Sequence, residues 1–559
     1  MYKFILDYLT GPGLVPALSL ICSLFLAWIF PRLGEAVFSR IEHFGTIVGR
    51  KRSFAIVALS LLPILLRLSL LYFVPVPLPH THDDFSYLLA ADTFADRRLT
   101  NPPHSMWVFF DTIHVNQHPT YMSKYPPAQG AILALGQVMG SPWMGVLLSV
   151  GIMSGAVLWM LQGWVPSSWA LIGGVLVVLR IAIFSYWMNS YWGGAVPAIG
   201  GALVVGALPR IMHSLRIRYA VILGIGVAVL MHSRPFEGLM LCVPAAIWLG
   251  VWIFGKSSPS LSITLPRLVL PISIVVILSS AFWAYYNWRG TGSLFKMPYM
   301  VNDQAYLSTP TLLWQKLRPP IHFTNPQFEA FYNGWAREHW LQTSSGDLKA
   351  IAVHAVSVLT KFVYFFIWPE LCIILAVFGR VIRDHRVRFL TIEAGFSFVT
   401  FLSVGWFQPH YAAPQLATTF ALITQAMRHV RRWQFKGKLV GIGITRAVMT
   451  FAVFLAPFHP HSASLKHRAT SGIESRATIA AQLEGIPGGH LVIIRYSPQH
   501  GALEEWVYNK ADIDRAKVVW AREIPGLELR PLLDYFTGRQ IWLVEPDSPS
   551  PHLIPFAEE

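Results

Sequence analysis

The sequence predicts a mainly α-helical chain, a polytopic transmembrane helix bundle of about twelve spans with a small C-terminal α/β soluble domain. Three observations carry that expectation. Of 559 residues, 54% are hydrophobic and only 13% are charged, where an average soluble protein carries about 25% charged residues. Runs of roughly 17 or more residues nearly free of charge recur as far as position 457, the length a helix needs to cross hydrocarbon. Beyond that point the pattern changes to short strand and helix signals separated by polar turns.

Spans are expected near 14–31, 54–76, 143–164, 168–187, 193–209, 218–233, 238–255, 267–287, 362–382, 389–407, 411–428 and 439–457. The first reads as an uncleaved helix, not a removable signal. The stretch 128–140, at about 13 residues, is short for a span and fits an interfacial helix. Two loops, 77–142 and 288–361, are too long to be structureless unless they are functional. Helical pieces are expected in them at 85–94 and 311–317, lying along the membrane surface. In the tail, strands are expected at 490–495, 517–520 and 540–544, with a helix at 529–536. The division is thus a membrane domain over 1–457 and an α/β domain over 458–559.

The charge distribution orients the bundle. The whole chain carries +15, but residues 458–559 hold 10 Lys+Arg against 13 Asp+Glu, leaving about +18 for the membrane portion. Its basic residues cluster in short loops: 31–53, with Arg32, Arg40, Arg50, Lys51 and Arg52; 210–218; 256–267; 380–388; and 428–438. Twelve spans put all of these on one side, which the positive-inside rule makes cytoplasmic. Basicity of this kind calls for no nucleic acid partner. The same parity puts both long loops and the tail domain on the outer, extracytoplasmic face of a plasma membrane. Cys22, Cys242 and Cys372 lie far apart in apolar runs, which speaks against a disulfide framework or zinc site and reads as buried small hydrophobes.

The chemistry-bearing segments gather on that outer face. Asp83 and Asp84 open the first long loop, preceded by His80 and His82. One aspartate suffices to cap the helix that follows, so the second is the informative one. Adjacent like charges push one pKa up, which suits a general base, and a carboxylate at the lip of a bilayer can act on a lipid-linked substrate. Lys124, Tyr125 and Gln129 surround Pro126-Pro127, a helix-start signal whose polar neighbours can hold a phosphate or sugar. Arg234 and Glu237 in SRPFEG, Arg289 in YNWRG and His410 in QPHYAAP sit at outer ends of spans. There a cation either snorkels to head groups or stabilises a phosphate leaving group. Arg67 and Arg180 fall inside spans, where a charge defaults to a functional role and pairing with Glu370 is the structural alternative. His80, His82, His104, His114 and His118 make the loop compatible with a divalent cation, although their spacing matches no compact metal motif.

An acidic pair in the first large outer loop, a following Tyr-Pro-Pro segment and a polytopic bundle with a soluble tail together resemble the GT-C superfamily of membrane glycosyltransferases, which includes protein mannosyltransferases and aminoarabinose transferases. The resemblance covers about 54–457 in architecture, and at the motif level rests on Asp83-Asp84 and 124–130. It implies a polyprenyl-phosphate sugar donor and inverting transfer to a glycan, lipid or protein acceptor on the outer face. Asp83 or Asp84 would activate the acceptor hydroxyl, and no cofactor is required. His82, Lys124, Tyr125, Gln129, Arg234, Glu237, Arg289 and His410 are the residues expected to bind substrate. One extra span, 14–31, precedes the family pattern. Asp92, Asp96 and Asp111 are candidates for a second carboxylate. The alternatives are a secondary transporter, with Arg67, Arg180 and Glu370 lining its path, and a non-catalytic scaffold that presents the tail. The transporter reading lacks internal repeat symmetry.

Overall fold

In lipid every backbone N–H and C=O must be satisfied within the chain, so the long apolar runs fold as helices. The computed structural model describes residues 14–79, 81–255, 258–344, 347–367, 370–458, 473–501 and 504–556. His80 lies outside the described residues, as does the side chain of Glu370. Among those described, six helices are long and apolar enough to cross a membrane: Arg52–Ser69, Pro142–Trp164, Ala195–Ser214, Pro235–Ile253, Leu261–Thr291 and Leu348–Phe366. Shorter apolar helices lie at Leu18–Ile29, Ser167–Ala182, Ile217–Met231 and Val440–Leu455. Helices at Arg388–Leu402 and Leu416–Arg431 fall on two further expected spans. The Leu261–Thr291 helix leaves Ile274, Ile277, Leu278 and Phe282 exposed, a face that only lipid would cover.

Small residues let the helices close on one another. On Pro142–Trp164, an added Cβ at Gly151 would stand 2.8 Å from the Ser60 carbonyl, and one at Gly155 would stand 2.1 Å from the Ser60 hydroxyl. The spacing of four residues puts both glycines on one face, against the Arg52–Ser69 helix. That contact fixes where the chain emerges into the loop at 77–142.

Four local expectations are corrected. The basic loop 31–53 contains a helix, Glu35–Arg50. Arg446 holds it, pairing with Glu35 at 2.9 Å and Glu42 at 3.0 Å. Its Val37, Ile41, Phe44 and Ile47 remain exposed, the stripe of an interfacial amphipathic helix. The expected span 362–382 instead begins at Leu348 and stops at Phe366, followed by a tighter turn at Glu370–Val377. The sequence carries Pro369 shortly after this end, a residue type that does not continue a helix. Residues 311–317 are not helical. Leu313 N–H donates to the Ser403 carbonyl at 3.0 Å and Gly405 N–H to the Thr311 carbonyl at 3.1 Å, so this stretch pairs with the chain after Arg388–Leu402. The loop helices are Pro298–Tyr306 and a run from Pro326 to Ser344. All three cysteines are free, and Cys22 is exposed on its helix, not buried.

In the first long loop, helices His82–Ala95 and Pro127–Val138 flank a small ribbon of β1 (Val115–Asn116) and β2 (Met122–Ser123). The tail forms a four-stranded sheet from β3 (His490–Ile494), β4 (Val518–Arg522), β5 (Gln540–Val544) and β6 (Ile554–Pro555). Its order is β4-β3-β5-β6. The first three strands are parallel and β6 runs antiparallel. The strand positions agree with the alternation of the sequence. The sheet does not stand apart from the loop. Phe85, Leu89, Phe109, Phe110, Val115 and Tyr121 share one apolar core with Leu491, Ile493, Tyr508, Val519 and Leu532.

Candidate active site

The His82–Ala95 helix begins with a capping box: the Thr81 hydroxyl accepts from the Asp84 N–H, and the Asp84 carboxylate accepts from the Thr81 N–H at 3.0 Å. This consumes Asp84 (0% exposed). Its second oxygen accepts from the Tyr191 N–H at 2.7 Å, tying the helix start to the segment after Ser167–Ala182. Asp83 points the other way and keeps 28% of its side chain exposed. The adjacent carboxylates therefore have different work, one holding backbone and one facing solvent.

Around Asp83 the loop assembles donors. The Tyr125 hydroxyl donates to Asp83 Oδ1, and His114 Nδ1 lies 3.4 Å from the same oxygen and 3.1 Å from the Tyr125 hydroxyl. Tyr125 is itself stacked on Tyr87, ring centres 4.4 Å apart. Burial works to raise the Asp83 pKa, but His114, Tyr125 and Lys124 outweigh it and hold the carboxylate ionised, well below its usual range. The expectation that its acidic neighbour would raise it is not met at Asp83. His114 takes a left-handed backbone, φ 68°. Burial and the nearby Lys124 charge lower its pKa to about 4, so it is neutral and has one N–H to give.

Lys124 is buried between two rings, its ammonium 5.0 Å from the centre of Tyr299 and 5.3 Å from that of Tyr125. Burial lowers its pKa to about 8, with the charges of Asp303 and Asp83 opposing and Arg234 assisting. Arg234 stands over the Tyr411 ring at 4.6 Å and 3.8 Å from Glu237. Beside it His410 is buried, 3.1 Å from the Tyr186 hydroxyl and edge-on to Trp192.

The structure therefore brings together Asp83, Lys124, Tyr125, Arg234, Glu237 and His410. It draws others elsewhere. Gln129 donates to the Tyr191 carbonyl at 2.8 Å, and so supports the same segment as Asp84. Arg289 is exposed on the last turn of Leu261–Thr291 and joins none of these contacts. Arg67 is spent on structure, donating to Asn189 Oδ1 at 2.9 Å and to the carbonyls of Val74 and Pro75 at 2.7 and 2.8 Å. Arg180 likewise donates to the carbonyls of Phe365 and Tyr364. Asp92 accepts from the Gln137 amide and the Ala511 N–H at 2.9 and 2.7 Å. Tyr87, Tyr299, Asp303 and Tyr411 belong to the site and were not anticipated. Tyr299 and Asp303 are four apart after Pro298, a spacing that puts them on one helix face and was readable in the sequence. Among the described residues, no three His, Cys, Asp or Glu side chains gather closely enough to hold a metal ion. Asp83 and His114 alone do not make a ready cation site.

No protein-family model matches this sequence, and no curated protein matches it significantly. Solved structures do. ArnT from Cupriavidus metallidurans in the apo state superposes with a TM-score of 0.51 at 14% identity, covering 88% of this chain and 92% of that one. The chain has the fold of that ArnT structure. The same ArnT bound to undecaprenyl phosphate (TM-score 0.49, 12% identity, 88% and 92% covered) is also similar. So is the Archaeoglobus fulgidus oligosaccharyltransferase with Zn and sulfate (0.47, 12%, 88% and 67%). The fold assignment rests on the apo ArnT.

On this ArnT-like fold the tail sheet reaches the site through its loops. Tyr508 is hydrogen-bonded to His82 Nδ1 and lies flat on Phe85, ring centres 4.0 Å apart and planes 8° from parallel. Arg476 packs over the other partners, 4.9 Å from the Phe85 ring and 4.5 Å from the Trp520 ring, and donates to the Trp506 carbonyl at 2.8 Å. His82, expected to bind substrate, is thus turned to the tail. Farther along, Arg522 is buried against Glu505 and donates to the Asp111 carbonyl at 2.7 Å. The Tyr306 hydroxyl donates to the Asp111 carboxylate at 2.8 Å.

Proposed function

We propose that the chain is an integral-membrane glycosyltransferase that moves a sugar from a polyprenyl-phosphate donor to an acceptor hydroxyl on the outer face of a plasma membrane. The observation that supports it most is a partly open carboxylate, Asp83, held ionised beside a cationic group of Lys124 and Arg234 on a GT-C fold. The prenyl chain lies among the spans, and the donor phosphate sits by Lys124 and Arg234. As the acceptor oxygen bonds to the anomeric carbon, its proton passes to Asp83. The bond from that carbon to the phosphate oxygen breaks, and its electron pair leaves on the prenyl phosphate. Attack opposite the leaving group inverts the anomeric centre. The cations act where negative charge develops, which is where electrostatic stabilisation lowers the barrier. A fully ionised aspartate takes the proton late, once bonding has made the acceptor hydroxyl acidic. Tyr125 and His114 aim the carboxylate, and Asp84 positions the helix turn that bears it. The membrane domain of 1–457 binds the donor, and the tail of 458–559 faces the acceptor side.

The transporter reading loses ground because Arg67 and Arg180 bind backbone carbonyls. The test is transfer from a labelled prenyl-phosphate sugar by purified protein. Asp83→Asn keeps the helix cap and is expected to lower kcat by about 10²–10⁴, the usual loss on removing a general base. Undiminished transfer by Asp83→Asn overturns the proposal.

A further inference from the structure

The fold leaves one question about Asp83. Its capping box, Thr81 and Asp84, is tied on one side to Tyr191 in the segment after Ser167–Ala182. On the opposite side the first turn is held by residues far away in the chain. His82 and Phe85 flank Asp83 and its capping neighbour, and both are engaged by one side chain of the tail, Tyr508, 426 residues on from His82. Arg476 then closes over the far side of Phe85 and donates to the Tyr508 carbonyl at 3.3 Å. Around this grip the same two units are joined by the Tyr121 hydroxyl to the Asn509 carbonyl at 3.1 Å, by Ala511 N–H to Asp92, and by His104 to Asp514 at 3.1 Å.

We propose that Tyr508 is a positioning residue for Asp83, so that the tail sheet completes the outer-face site instead of only presenting an acceptor. A helix start capped on one side still twists about its axis, and its exposed side chains swing with it. The stacked Phe85 and the hydrogen-bonded His82 stop that twist on the open side and leave Asp83 pointed at Tyr125 and His114. Arg234 is anchored by another ring, Tyr411, and Lys124 keeps Tyr299 in addition to Tyr125. Loss of the Tyr508 contacts therefore disturbs the carboxylate while sparing the phosphate end. The proposal rests on the transferase reading for its kinetic part only.

The experiment uses full-length protein in detergent with Tyr508→Phe, which keeps the stacking ring and removes the hydroxyl, and Tyr508→Ala, which removes both. Backbone hydrogen exchange, binding of farnesyl phosphate as a short prenyl-phosphate probe, and transfer kinetics are measured on each. The expected result is a graded acceleration of amide exchange over 82–90, reaching about tenfold in Tyr508→Ala, because the first turn opens locally. Farnesyl phosphate affinity stays within about twofold, and kcat falls in the same order as exchange rises while KM for the donor holds. Unchanged exchange over 82–90 in both variants overturns the proposal and leaves the transferase reading intact. Parallel loss of farnesyl phosphate binding in both variants also overturns it, since the tail then supports the whole fold and not the aim of one carboxylate. Full activity in Asp83→Asn removes the transferase reading yet leaves the exchange result standing.

Discussion

Asp83 and Asp84 are chemically the same residue, and their surroundings divide them. Thr81, three residues before Asp84, was the available sign of which one caps, because a hydroxyl followed three positions later by an acid is the capping-box spacing. The opposite role of Asp83 was not legible, since Tyr125 and His114 reach it only through the folded loop. Asp84→Asn removes two charge-assisted acceptors and is expected to lower the melting temperature, corresponding to about 1–2 kcal/mol for a lost cap. Asp83→Asn also lowers it, because its neighbours stabilise the ionised carboxylate in the fold, but it leaves the cap intact, and amide exchange at Tyr191, whose N–H donates to Asp84, separates the two. Lys124 sets the pH behaviour. Its pKa is lowered to about 8, so its positive charge is present below that pH and lost as pH rises through it. Transfer is expected to decline above pH 8. Lys124→Arg, whose guanidinium stays charged, carries activity past about pH 9 in a pH–rate profile.

Among the elements, the apolar runs announced themselves, because a helix in hydrocarbon needs only length and lack of charge. The docked helix Glu35–Arg50 carries two signals at once, basic residues that mark a short charged loop and an apolar stripe at 37, 41, 44 and 47 that marks an interfacial helix. Helix starts at Pro127 and Pro142 were marked by proline itself. The segment that bears His410 depends on a close approach elsewhere. A Cβ added at Gly201, on the Ala195–Ser214 helix, would stand 1.9 Å from the Pro414 carbonyl. Gly201→Ala forces backbone apart and is expected to cost about 1–3 kcal/mol. It also shifts His410 from Tyr186. Its signature is a lower melting temperature with weakened farnesyl phosphate binding.

At the scale of the molecule, the tail and the first long loop share a core, which no local pattern in either segment announces. Apolar alternation located the strands, but their partners lie hundreds of residues away. Asp111 reports on this junction. Burial raises its pKa to about 7, with Tyr306 and Arg522 opposing, against about 3.9 in an unfolded chain. The folded protein therefore binds a proton that the unfolded chain releases. The stability this gives is complete in acid and is lost as pH climbs through about 7. The melting temperature is expected to fall between pH 5 and pH 8, and Asp111→Asn, which still accepts from Tyr306, flattens that fall.

The grip of Tyr508 on His82 also sets a timetable for biosynthesis. The two residues leave the ribosome 426 positions apart, an interval of roughly 20–85 s at ordinary elongation rates. Until Tyr508 has been translated, the first turn of the helix with Asp83 lacks this contact. A polypeptide cut short before Tyr508 thus keeps its apolar helices but is expected to show the faster amide exchange over 82–90 and the lower transfer rate of Tyr508→Ala.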